Sequence, residues 1–276
     1  MLAVNRVLLF GLLLTAFPTL PEAAASDRTQ LDRIAKLVFQ NECAAKESCL
    51  TSWNKGEEFA SLGIGHFIWY PADTPDSAKH FSESFPRLIH FMRQRDVEIP
   101  VWVKADQGCP WPNRDAFESK QKSKKMRSFR LFLIKTMSFQ ANFMQKRMKN
   151  ALPLMLSTVP QDQRRHIRRQ FERVANAPMG MYALVDYVNF KGEGVNPKES
   201  YQGQGWGLLQ VLTAMHGQSS GITAIIEFSN TADMLLTRRV ALSPPARHES
   251  RWLAGWKKRT GTYVTESRKV DLLPLE

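Results

Sequence analysis

Long apolar runs are scarce in this sequence. After residue 17 none approaches the roughly 20 residues that a membrane-spanning helix needs, and Lys, Arg, Glu and Asp recur throughout the chain from residue 26 onward. A polytopic membrane protein is thereby excluded, because charge in hydrocarbon is costly. Cysteine is sparse: the three are Cys43, Cys49 and Cys109, so at least one lacks an intrachain disulfide partner. Histidine is sparse too. The six are dispersed, no Cys/His grouping has metal-ligand spacing, and neither a metal nor another cofactor is expected. No internal repeat is evident, which excludes solenoid and propeller architectures.

Acidic residues are outnumbered by basic ones, 26 against 38, for a net charge of +12. A positive field of that size steers anionic partners and also favours solubility. The first residues hold a cation, Arg6, an apolar run from Val7 to Phe17, a break at Pro18 and Pro21, and the small residues Ala23, Ala24, Ala25 and Ser26. That order is the pattern of a cleavable export signal over residues 1–25, with removal near Ala25. An exported protein of this charge is expected to meet an anionic cell-wall polymer rather than nucleic acid. No transmembrane segment is expected after processing. Cys43 and Cys49 lie six positions apart, a loop that one disulfide could close, and a Cys43–Cys49 bond is predicted, although spacing alone leaves Cys109 open as a partner.

Hydrophobic periodicity supplies the elements. Leu31, Ile34, Ala35 and Val38 share one stripe of a helix over 27–42. Glu42, eleven residues after Leu31, points within about 20° of the same direction. Residues 43–60 read as an irregular connection, 61–70 as a short strand, 81–95 as a helix and 100–113 as a long Pro/Trp/Gly-rich loop. Residues 115–190 carry successive helical patterns, with Pro160 and Pro178 at two helix starts. Residues 191–207 are irregular and glycine-containing, and helices resume at Leu208, near 223–240 and over 248–260. The expected class is α+β, predominantly helical. The basic runs Lys120, Lys122, Lys124, Lys125, Arg127 and Arg164, Arg165, Arg168, Arg169 are expected to be solvated helix faces.

A carboxylate at the end of an apolar stripe has the setting of a tuned acid. Burial and the negative end of the helix dipole both oppose its ionisation, as a proton donor to a glycosidic oxygen requires. The residues that follow sharpen this reading. Glu42, an irregular turn containing Gly56, Glu57 and Glu58, and then Ser61, Leu62, Gly63, Ile64, Gly65 and His66 resemble the catalytic region of phage-type lysozymes, glycoside hydrolase family 24. There a helix ends in the acid Glu, and a strand reading Thr-(Ile/Val)-Gly-(Ile/Tyr)-Gly-His lines the cleft. The resemblance implies that Glu42 is the general acid, that Ser61 stands for the cleft Thr, and that His66 is a structural histidine bracing the strand. The family's Asp, six residues before the Thr, falls on Lys55 here, so Glu57 or Glu58 would take its place, with Glu58 favoured.

Further along, Gly203, Gln204, Gly205, Trp206, Gly207, Leu208, Leu209, Gln210 and Val211 are similar to the Gly-x-Gly-Phe-Gly-Leu-Met-Gln-Val segment of goose-type lysozymes and its counterpart in lytic transglycosylases. Leu212 stands where the goose-type enzymes have Asp. The stretch from Ala183 to Val195, Ser250 to Trp252 and Arg259 to Tyr263 resemble the core helix and C-terminal segment of phage-type lysozymes. Together these imply a lysozyme-like domain over 26–276 with an unmatched, mainly helical insertion at about 71–178. The implied activity is cleavage of the β-1,4 glycosidic link of peptidoglycan by a muramidase. The alternatives are a lytic transglycosylase, a hydrolase of chitin-like glycan, and an inactive lysozyme-like wall-binding protein. Asn189, Tyr201, Trp206 and Gln210 would line the groove. The aromatics Trp53, Trp69, Tyr70, Tyr187, Tyr201 and Trp206 are divided between core and sugar stacking, Trp69 being the first assigned to the core.

Overall fold

The computed structural model describes residues 20–79 and 81–271, so of the export-signal segment residues 1–19 lie outside the described residues. The first helix, α1 (Leu20–Cys43), begins ahead of the expected Asp27. Its stripe is buried as the periodicity requires, with Leu31, Ile34, Ala35 and Val38 all in the core. The helix stops where Ala44 and Ala45 turn into the left-handed region, at φ 47° and 55°. That conformation is unfavourable for an L-residue with a Cβ. The reversal is spanned by the Cys43–Cys49 disulfide, which joins Cα atoms 5.5 Å apart.

A three-stranded antiparallel sheet follows, ordered β1 (Thr51–Ser52), β2 (Ala60–Leu62) and β3 (Phe67–Trp69). Ser61 pairs with Ser52 on one side and Ile68 on the other. The single strand expected over 61–70 is therefore two strands with a turn at 63–66. The reason lies in a distant helix. Gln140, fully buried, accepts a hydrogen bond from the Ile64 amide at 2.8 Å and donates to the Leu133 carbonyl at 2.7 Å. A side chain on Gly63, at φ +70°, would collide with that amide, so the turn needs glycine there.

The helical remainder comprises α2 (Phe85–Arg93), α3 (Arg114–Ser119), α4 (Lys124–Lys135), α5 (Met137–Ser157), α6 (Gln161–Ala175), α7 (Gly180–Lys191), α8 (Leu208–Ala214), α9 (Ile222–Leu242) and α10 (Ser250–Asp271). The class is α+β and predominantly helical. The loop over 100–113 is irregular apart from a 3-10 turn at Ala105–Gln107, and Trp111 and Cys109 are buried in it. The segment 191–207, expected to be irregular, contains a small hairpin of β4 (Ser200–Tyr201) and β5 (Gln204–Gly205). Helix α10 runs well past the expected Thr260. Among the described residues no helix is long and apolar enough to cross a membrane.

Helix α7 is the centre of the molecule. It is apolar nearly all round, every residue from Gly180 to Tyr187 is buried, and it packs against α1, α5, α6, α8 and α10. A helix buried on nearly every side belongs inside a helical assembly. Its start is set by Met179 in the left-handed conformation and by Gly180, where a Cβ would run into the Val174 carbonyl at the end of α6. Helices α9 and α10 pack together. The exposed faces of α4 and α6 carry Lys124, Lys125, Arg127, Arg164, Arg165, Arg168 and Arg169, as expected for solvated faces. Gly180→Ala should destabilise the fold by about 1–3 kcal/mol through that backbone collision, measured as a lower urea midpoint at unchanged m-value.

Candidate active site

Three helices and one turn converge on Glu42. The penultimate position of α1 gives Glu42, and Asn41 precedes it. Helix α7 contributes Tyr182 and Asp186, four residues apart and so on one face. Helix α10 contributes Arg259 and Tyr263 with the same spacing. The β2–β3 turn contributes His66, held at φ 46°.

Asp186 is fully buried and accepts four hydrogen bonds. Arg259 donates to it through Nε at 2.8 Å and Nη2 at 2.9 Å, Tyr263 through its hydroxyl at 2.7 Å, and Asn41 through Nδ2 at 3.1 Å. Asn41 also donates to the Tyr182 hydroxyl at 2.8 Å, which lies 2.7 Å from the Thr262 hydroxyl. Arg259 Nη2 reaches Glu42 Oε1 at 2.5 Å, so one guanidinium serves two carboxylates. Burial opposes the charge on Arg259, but Asp186 and then Glu42 hold it protonated beyond the ordinary arginine range. Burial and the Asp186 charge push the Tyr182 and Tyr263 hydroxyls well above the usual phenol range, so both stay protonated.

The Glu42 side chain is 14% exposed, with the guanidinium on one oxygen and His66 Nδ1 3.9 Å from the other. The guanidinium beside Glu42 is a partner that the sequence reading lacked. His66 does more than brace a strand, because it faces Glu42. Ser61 is buried mid-strand, and its carbonyl accepts from the Ser52 hydroxyl at 3.3 Å. Cys43 and Cys49 are bonded as predicted, leaving Cys109 as a buried thiol that burial pushes up to about 12.

Glu57 and Glu58 sit in the turn between β1 and β2. The Glu57 carboxylate accepts from Asn54 at 3.1 Å. Both line a groove of about 530 Å³ with Trp53, Asp73, Asn113 and Arg114, and that lining includes none of Glu42, His66 and Arg259. Asn189 is exposed in a shallow depression beside Met144, Arg147 and Glu193.

Tyr201, Trp206 and Gln210 belong to a second neighbourhood. Gln210 accepts from the Gly207 amide at 3.0 Å and donates to the Gly194 carbonyl at 2.9 Å, so its amide starts α8 and ties down the 192–194 turn. Trp206 is buried, its ring 4.8 Å from that of Tyr201 and 4.0 Å from the Arg239 guanidinium. The Tyr201 hydroxyl donates to Glu249, a buried carboxylate that Arg239 also binds through two nitrogens and Arg247 through one. Hydrogen bonding to Arg239 holds Glu249 down at about 2, against its burial. Of the six aromatics divided between core and stacking, Trp53, Trp69, Tyr70, Tyr187 and Trp206 are all buried and Tyr201 is half-buried.

Lys191, at the end of α7, joins the two neighbourhoods. Its ammonium lies over the Trp256 ring at 3.3 Å and the Phe190 ring at 4.0 Å. Arg259 covers Phe190, at 4.4 Å. Asp186, Arg259 and Tyr263 fall within stretches singled out from the sequence, but nothing there marked them as partners of Glu42. Lys191 falls in the stretch from Ala183 to Val195 too, whereas Glu249 carried no signal. Comparison with protein-family models, with curated proteins and with solved structures finds no match to this chain.

Two outcomes follow from these contacts. Asp186→Asn, which leaves Arg259 with one carboxylate and places an amide NH₂ among donors, should cost about 3–5 kcal/mol, read from chemical unfolding at neutral pH. Burial, and then Arg239, push the Lys191 amine down to about 6 from 10.5. The unfolded chain therefore binds more protons between those two pH values, and stability rises with pH across that window. Lys191→Met should stabilise the protein near pH 7, with the gain shrinking towards pH 10. A gain that is independent of pH would show that Lys191 is not the source.

Proposed function

We propose that this chain is an exported, lysozyme-like glycan-cleaving enzyme acting on the β-1,4 link of peptidoglycan, with Glu42 as its general acid. One observation carries the reading: a carboxylate at the very end of a core helix, 14% exposed, is held by Arg259 at 2.5 Å immediately before a disulfide-stapled turn and a β-hairpin. That placement holds the carboxylate at the end of α1, partly within reach of solvent, while Asp186 and Tyr263 behind it stay buried. The order of elements agrees with the resemblance to phage-type lysozymes, in which an acid-bearing helix precedes a small sheet. The disulfide suits an oxidising compartment, and the positive charge suits a polyanionic wall.

The chemistry follows from the donor. In the reactive state Glu42 has taken up a proton, leaving Arg259 paired with Asp186, and gives it to the glycosidic oxygen as the C1–O bond breaks, and an oxocarbenium-like centre forms at C1. Arg259 then stabilises the carboxylate left behind. Because Asp186, the carboxylate that shares Arg259 with Glu42, is committed to four donors, the single-carboxylate route is favoured over a two-carboxylate hydrolysis. In that route the sugar's own O6 hydroxyl attacks C1 and returns its proton to Glu42, leaving a 1,6-anhydro sugar and a free 4-hydroxyl on the leaving chain. This is lytic transglycosylase chemistry.

Digestion of purified murein tests both parts. Glu42→Gln should lower turnover by at least about 100-fold with near-wild-type thermal stability, and the wild-type products should carry anhydro ends. Glu57→Gln and Glu58→Gln should each retain most activity. Full activity of Glu42→Gln would sink the assignment of the acid. Loss on changing Glu57 or Glu58, with reducing-end products, would restore the two-carboxylate muramidase.

A further inference from the structure

The tertiary fold brings together three groups that are far from metal-site spacing in sequence. The Cys43 and Cys49 sulfurs and His66 Nε2 lie within 4.8 Å of one another. His66 Nε2 is 3.5 Å from the Cys49 sulfur and 3.9 Å from that of Cys43. Zinc–sulfur and zinc–imidazole bonds of about 2.3 and 2.0–2.1 Å, at tetrahedral angles, put ligand atoms about 3.5–3.8 Å apart. The imidazole is thus at ligand distance from the Cys49 sulfur and just beyond it from that of Cys43, and the two bonded sulfurs must part to that spacing when the disulfide opens. The other ring nitrogen, Nδ1, faces Glu42 Oε2 at 3.9 Å. With the carboxylate on the Nδ1 side, Nε2 is the ring nitrogen turned to the sulfurs. Carboxylate, histidine and metal in this order is the usual arrangement around a ligating imidazole. The His66 side chain is 38% exposed, so an ion can reach the site from solvent.

We propose that the dithiol form of this protein binds one zinc-class dication through Cys43, Cys49 and His66, with Glu42 orienting His66 from behind and water completing the tetrahedron. Two thiolates and an imidazole select a soft or borderline ion such as zinc over calcium or magnesium. The disulfide must first open. A dithiol reductant breaks the Cys43–Cys49 bond and is itself oxidised to a disulfide, its two hydrogens passing to the two cysteine sulfurs. The entering dication then displaces both protons to solvent. The oxidised protein does not bind, since a disulfide sulfur offers no thiolate. The inference does not depend on the glycan-cleaving reading.

Cobalt(II), which reports thiolate ligation by its sulfur-to-metal charge-transfer band, is the probe. The full chain is reduced with a dithiol, freed of reductant without oxygen, and titrated. The expected result is a charge-transfer band that saturates at one cobalt per chain, is displaced by zinc, and is absent from the oxidised protein. His66→Ala should weaken binding by at least about tenfold, and Glu42→Gln by about tenfold through the orientation of the ring. Cys109→Ser should leave binding unchanged. Near-ultraviolet circular dichroism of the reduced chain should remain native-like. The proposal is overturned if the reduced protein gives no saturable band whether or not it stays folded, if His66→Ala binds as tightly as wild type, or if Cys109→Ser abolishes the band.

Discussion

A single buried carboxylate, Asp186 on the central helix, sets terms that the surrounding helices must meet. An ionised group without solvent is tolerated only when its lone pairs are filled by good donors. Asp186 takes them from Arg259 and Tyr263 on α10 and from Asn41 on α1. Helices distant in sequence are thereby fixed in rotation and in register against α7. Glu42 follows Asn41 directly, so the same constraint that satisfies Asp186 places the Glu42 carboxylate beside the one guanidinium the two acids share. The position of the proposed acid is a consequence of core electrostatics.

Side-chain amides from helices do the same for the glycine-containing loops. Gln140 on α5 pins the Gly63–Ile64 turn of the sheet, and Gln210 on α8 pins the Gly194 and Gly207 backbones. In each case a buried or half-buried amide supplies both a donor and an acceptor to backbone groups that have no ladder partner. Glycine is needed where the amide approaches, because a Cβ at Gly63 or Gly194 would occupy the oxygen's place. The turn that presents His66 to Glu42 is thus held from the interior of the helical region.

Charge is divided by depth. The long runs of Lys and Arg stay on the solvated faces of α4 and α6, while a few basic side chains are drawn inward: Arg259 against two acids, Arg239 against Glu249, and Lys191 against aromatic faces. The arginines, whose charge persists in nearly any surroundings, hold the buried ion pairs. Lys191, whose proton burial makes easier to lose, lies over the Trp256 and Phe190 rings.

The predominance of helix, the buried stripe of α1, the loop over 100–113 and the helix start at Pro160 could be read from the sequence because each is a local matter of periodicity or backbone restriction. The Cys43–Cys49 bond was within reach for the same reason, the loop being short, and so was the unusual setting of Glu42 at the end of an apolar stripe. The division of 61–70 into two strands was not, since it is imposed by Gln140 from 76 residues away. Nor was the ion pair of Glu42 with Arg259, 217 residues apart. Glu57 and Glu58, adjacent to the strand in sequence, are turned into a separate groove, and His66 is brought to both Glu42 and the sulfurs. Periodicity specifies which face of an element is buried. Which polar group meets which across the core is decided only when the helices pack, because each must find its partner there or remain unsatisfied.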